Sequence, residues 1–175
     1  KDAGRADAGR HFKIILQGAL KEDLGSRDIT SELVIAKDKF ISAVLLAKEA
    51  FVVCGLPIAG LTFKLKDKKI KFKPQVLDGQ FIKKGRVLAR IQGRARPILA
   101  AERVALNFLC LLCGIATRTR EYVDKLKPYT VKVMDTRKTI PGLRGLQKYA
   151  VRVGGGLNHR MRLDEMVLVK DNHIK

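Results

Sequence analysis

Apolar residues Phe12, Ile15, Leu16, Ala19 and Leu20 recur at helical intervals and run out at Asp23-Leu24-Gly25, which predicts an amphipathic helix with a glycine stop. The polar residues 1–10 read as a frayed or foreign leader ahead of it. Asp28-Ile29-Thr30 opens an extended region. From 41 to 92 the period shortens to alternation, predicting strands at 41–47, 51–53, 70–72 and 87–91. Turns fall at Gly55, Lys66-Asp67-Lys68, Asp78-Gly79 and Lys84-Gly85. A helix over 57–65 lies across the small antiparallel sheet these strands make. Residues 76–89 have the glycine spacing of a biotinyl- or lipoyl-type hammerhead hairpin. Lys83 and Lys84 lack the methionines that flank a biotin-acceptor lysine, so the segment reads as a plain hairpin.

Pro97 opens a long helix over 98–127, apolar through Ile115 and charged from 118 onward. Glu102-Arg103 and Asn107 interrupt its apolar face, and an arginine buried there needs a carboxylate partner or a ligand, with an intrahelical or interhelical ion pair the first expectation. The pattern then changes. Residues 129–134 read as a short strand, Pro141 starts a helix with Leu143, Leu146, Tyr149, Ala150 and Val153 on its apolar face, and Gly154-Gly155-Gly156 stops it. A second strand over 166–169 ends in Lys170-Asp171-Asn172-His173. Strand, polar loop, helix and strand form a β/α unit, and the loops at the carboxyl ends of such strands carry the chemistry. Arg137-Lys138 and Lys170 both stand at that position.

Charge sharpens this picture. The 175 residues carry a formal net charge of +19, a bias compatible with nucleic acid, an anionic surface or anionic small substrates. Residues 131–175 hold ten Lys/Arg against four Asp/Glu, and most of the remaining excess alternates with apolar residues, as on the solvated face of a strand. No zinc-finger spacing or aromatic interleaving supports nucleic acid. Cys110 and Cys113 lie inside an apolar helical run and Cys54 stands alone, so all three read as core thiols in a reducing, cytoplasmic compartment. The run over 104–116 falls short of the about 20 residues that span a bilayer, and no membrane partner is expected. Arg137 and Arg160 suit bidentate recognition of carboxylate or phosphate, Lys138 and Lys170 suit phosphate oxygens, and His159 can hold a carboxylate or ring nitrogen.

Several motifs occur in one order: 19–25 with Asp28-Ile29-Thr30, 102–107, 114–117, Asp135-Thr136-Arg137-Lys138-Thr139 with Pro141-Gly142-Leu143-Arg144, Gly154-Gly155-Gly156 with Asn158-His159-Arg160, and Lys170-Asp171-Asn172-His173-Ile174. Together they resemble the quinolinate phosphoribosyltransferases, the nicotinate-nucleotide pyrophosphorylases. The resemblance implies an α/β protein: an N-terminal α/β sandwich domain of barrel-sandwich-hybrid type over 12–115, then over 116–175 the first part of an open type II phosphoribosyltransferase α/β barrel. It implies transfer of phosphoribosyl from phosphoribosyl pyrophosphate, with Mg²⁺, to quinolinate in a homodimer, releasing pyrophosphate and CO₂ and leaving nicotinate mononucleotide. It further implies that Arg103 reaches the partner subunit's site, that Thr136 lines the substrate site, that Arg137, His159 and Arg160 hold the quinolinate carboxylates, and that Lys138 and Lys170 contact substrate or donor as the catalytic cations.

Two departures are local: Cys113 stands where the family commonly has Ser, and Arg162 where a small or polar residue is usual. The acidic residues that meet ribose and metal, and the later phosphate loops, do not follow within the 175 residues. The sequence therefore reads as a C-terminally truncated piece with no metal ligands of its own, inactive alone and with an open apolar sheet edge. Two alternatives stand beside this reading: a ModD-like paralogous transferase, and a basic module without catalysis.

Overall fold

A computed structural model describes residues 3–175. Helix α1 (Ala3–Leu24) is followed by α2 (Ile29–Val34), β1 (Phe40–Leu46), β2 (Phe51–Val52), α3 (Leu56–Lys66), β3 (Lys71–Pro74), β4 (Phe81–Ile82) and β5 (Val87–Arg94). Helix α4 (Ala95–Leu126) and helix α5 (Arg144–Val153) complete the regular structure, with a 3₁₀ turn at Asp171–His173. The strands form two antiparallel sheets, β1-β5-β3 and β2-β4. The family-like α/β architecture expected from the sequence is present, with the sheets N-terminal and α5 packed beyond them.

One helix organises the interior. Ile98, Ala101, Val104, Ala105, Phe108, Leu109, Leu112, Cys113 and Ala116 of α4 are buried at intervals of three and four, the spacing of a single helical face. That face meets α3, both sheets, α1 and α5. Polar ties fix its height: the Val52 amide donates to Thr117 Oγ1 (2.9 Å) and the Cys54 amide to Cys113 Sγ (3.2 Å). Gly55, at φ +102°, lies so close to α4 that a Cβ there would meet Leu112 Cδ1 at 2.8 Å. Both facts call for glycine. By length and composition α4 could cross a membrane, contrary to the expectation drawn from 104–116 alone; in this fold its apolar face lines the core.

Several expectations are corrected. Residues 29–34 are helical rather than extended, because Asp28 acts as an N-cap whose side chain accepts from the Ser31 amide at 2.9 Å. Residues 3–10 of the polar leader are part of α1, which begins at Ala3, and residues 1–2 lie outside the described residues. The helix expected at Pro141 begins at Arg144, since Gly142 turns the chain at φ +79°. Residues 129–134 and 166–169 form no strand. Met134 makes a lone parallel bridge to Leu157, while Val167 is 87% exposed; a parallel ladder needs a neighbour on each stretch, and only 134 finds one. Cys110 is exposed rather than in the core. Arg103 is exposed as well, and no ion pair to it occurs among the described residues, so the predicted buried pair is absent.

Candidate functional site

The site is built where the chain leaves residue 134 and returns at 157. The Asp135 amide donates to the Leu157 carbonyl (3.0 Å) and the Leu157 amide to the Val133 carbonyl (2.9 Å), so two segments run side by side with α5 connecting them. Asp135 then closes the join. Its Oδ1 accepts from the His159 amide at 2.8 Å and from Lys148 Nζ at 2.5 Å, and Lys148 Nζ also donates to the His159 carbonyl at 2.7 Å. In the orientation that satisfies its amide, Asn158 donates to Asp135 Oδ2 (2.8 Å) and to the Lys148 carbonyl (2.9 Å). Only 1% of the Lys148 side chain and 7% of the Asp135 side chain is exposed.

This node sets residues 136–138 beside 159–160. Thr136 and Lys138 are exposed, and the Lys138 amide donates to Thr136 Oγ1 (3.1 Å). Arg137 is half-buried, and its Nε is buried without a hydrogen-bond partner. Arg160 is 8% exposed and donates through Nη1 to the Met166 carbonyl at 2.5 Å, which ties the segment beyond it. The Arg160 amide donates to His159 Nδ1 (2.8 Å), which fixes that ring. Arg144 bridges Thr139 Oγ1 (3.1 Å) and the Met161 carbonyl (2.9 Å).

Four of the anticipated cationic or imidazole side chains, at 137, 138, 159 and 160, therefore belong to adjoining segments. Lys170 does not join them by any hydrogen bond; it is exposed, and its amide donates to His173 Nδ1 (3.0 Å). Arg103 stands on the outward face of α4. Two surface hollows, of about 590 Å³ beside Lys83, Lys84 and Arg86 and about 470 Å³ between α3 and the 74–78 segment, are lined by none of the anticipated residues.

Asp135 and Lys148 escaped the sequence reading because Lys148 lies off the apolar face of α5 and so reads as solvated. A signal existed: Asp135 is the only acidic residue between Asp124 and Asp164, in a stretch dense with cations. A second missed pair joins the two halves. Asp78 accepts from the Gly55 and Leu56 amides (2.7 and 3.1 Å), capping α3 from a distance, and from Tyr149 Oη at 2.6 Å. Burial, followed by that hydrogen bond, pushes the Tyr149 phenol well above its ordinary value. The triple glycine is a packing device as well as a helix stop: Gly154 and Gly156 are buried, and a Cβ on Gly154 would lie 2.6 Å from the Ala116 carbonyl of α4.

An N-terminal sheet domain joined through a core helix to a cation-bearing segment around α5 defines a two-part α/β protein. The chain belongs to the quinolinate phosphoribosyl transferase family: the N-terminal domain model of that family matches residues 28–113 and its C-terminal domain model residues 115–175. A quinolinate phosphoribosyltransferase [decarboxylating] of Nicotiana tabacum is 44% identical over 164 residues, covering 93% of this chain and 46% of that protein. A chloroplastic nicotinate-nucleotide pyrophosphorylase [carboxylating] of Oryza sativa is 43% identical, with 93% and 44% covered. The solved NadC of Streptococcus pyogenes superposes with a TM-score of 0.89 at 43% identity, covering 93% of this chain and 59% of that one. The chain thus spans about half the length of the curated relatives it matches.

Proposed function

We propose that this chain supplies the N-terminal domain (12–115) and the first part of the barrel (116–175) of a pentosyltransferase that joins quinolinate to phosphoribosyl pyrophosphate. The products are nicotinate mononucleotide, pyrophosphate and CO₂, in NAD biosynthesis. The observation that carries this reading is Arg137: a half-buried guanidinium with an unpartnered buried Nε, on a segment that Asp135 joins to the one bearing His159 and Arg160. An unsatisfied buried donor costs about 1–3 kcal/mol, and a substrate carboxylate arriving there removes the deficit. Quinolinate carries two carboxylates, matching Arg137 with Thr136 on one segment and His159 with Arg160 on the other. Lys138 and Lys170 then meet the donor's phosphates or the developing negative charge on the leaving pyrophosphate.

The ring nitrogen attacks the anomeric carbon as the bond to pyrophosphate breaks; the pyridinium so formed stabilises the electron pair left on the adjacent ring carbon as CO₂ departs, and a proton from solvent then forms the new C–H bond. No side-chain nucleophile takes part. Mg²⁺ enters this proposal as the companion of phosphoribosyl pyrophosphate. Arg103, outward on α4, is assigned to the site of a second copy in a homodimer. A cytoplasmic setting is the companion proposal, although the rice relative is chloroplastic by name.

Calorimetric titration with quinolinate tests the reading. Binding lost in Arg137→Ala and in Arg160→Ala, with folding retained, is the expected outcome. Affinity unchanged in both variants, or only salt-steep RNA binding spread over many lysines, overturns it. The 175-residue chain alone is expected to form no nicotinate mononucleotide, and a chromatographic product assay checks this.

A further inference from the structure

Lys148 is the only buried lysine among the described residues, and taking its ammonium out of water is costly unless a charge and further acceptors meet it. Both conditions hold, through Asp135 Oδ1 and the His159 carbonyl. An apolar side chain of similar length would fill the same space without the desolvation cost, so stability alone does not account for an ion pair at this point. Its position does. Asp135 immediately precedes Thr136-Arg137-Lys138, and His159 immediately precedes Arg160. The His159 amide and Asn158 join one cation-bearing segment to the other at Asp135, and Lys148 ties both segments to α5. The node also disposes of a charge: left unpaired, the Asp135 carboxylate would be the nearest anion in sequence to Arg137 and would compete with an incoming carboxylate for it.

We infer that Lys148 is a positioning residue for the anion site, locking Asp135 so that residues 136–138 and 159–160 stand in fixed register and the carboxylate of Asp135 is withheld from the substrate-binding cations. The ligand in this inference rests on the proposed substrate reading; the geometry does not. Tyr149, the next residue, donates to Asp78 of the hairpin turn, so α5 is anchored to the N-terminal sheets while Lys148 holds the loops.

The test uses the full chain and its Lys148→Met, Lys148→Arg, Asp135→Asn and Asp135→Asn/Lys148→Met variants, with two readouts. One is amide hydrogen exchange at Asp135, Arg137, His159 and Arg160 without ligand, followed by NMR; the other is calorimetric affinity for quinolinate. Lys148→Met is expected to speed exchange at His159 and to weaken quinolinate binding on the order of tenfold or more. Lys148→Arg should retain most of the affinity, and the double variant should recover part of it, because no unpaired carboxylate remains. Should Lys148→Met fail to fold by near-ultraviolet circular dichroism, Asp135→Asn decides, with faster His159 exchange expected. Wild-type exchange in every folded variant overturns the inference, as does wild-type affinity in Lys148→Met or Asp135→Asn. If the parent chain binds no quinolinate while His159 exchange still depends on Lys148, the positioning role stands and the substrate reading falls.

Discussion

Single residues in this protein carry different weights than their chemical type suggests. The three cysteines are an example. Burial pushes the Cys113 thiol up to about 11 and Cys54 higher still, and Cys113 Sγ accepts from the Cys54 amide and donates to the Cys54 carbonyl, whereas Cys110 is exposed. Thiolate, not thiol, is the reactive form. Brief iodoacetamide treatment of the native chain at neutral pH should therefore label Cys110 and spare the other two, as read by peptide mass spectrometry. Tyr149→Phe removes one partly buried hydrogen bond to Asp78, a charged acceptor, and should cost about 1.5–3 kcal/mol in urea denaturation. Arg137 and Arg160 stand out in the sequence because they follow a predicted strand and a glycine run, and the structure puts them on adjoining segments. Lys148 was not legible there, because a helical pattern reveals which face is apolar but not which polar face meets another segment.

At the scale of elements, strands with one solvated face and glycine-bounded turns were readable, and β1, β3, β5 and α3 fall close to where alternation places them. The failures share a cause. Residues 29–34 carry no strong period, so one N-cap hydrogen bond from Asp28 decides their conformation. Residues 129–134 and 166–169 have strand composition, but backbone hydrogen bonding to a neighbour, not composition, makes a strand. The α4–α5 contact depends on absent side chains. Gly154→Ala would drive a methyl group into the Ala116 carbonyl and Thr119 Cβ, each 2.6 Å away, and should lower stability by about 1–3 kcal/mol or more, measured as a shift in the denaturation midpoint. The corresponding change at Gly18, which has open space around it, should be neutral or stabilising.

For the whole molecule, acid sensitivity has a local origin. The Lys69 amide and the Arg94 guanidinium (2.9 Å) hold the Asp67 carboxyl below its ordinary value, and Ser31 does the same for Asp28. A carboxyl whose folded value is depressed stabilises the fold above the unfolded value and loses that contribution as pH falls through the folded one. Stability should accordingly decline below about pH 4, and Asp67→Asn should flatten the decline, seen as melting temperature against pH.

Because α4 continues unbroken to Leu126, the border between the family's two matched regions, near residue 114, lies inside a rod rather than a hinge. Dividing the gene at that border would leave each product holding half of a shared apolar spine, and both should precipitate. Dividing it instead within the exposed stretch just past Leu126 keeps the spine whole, and the two polypeptides should reassemble when expressed together, detectable by co-purification.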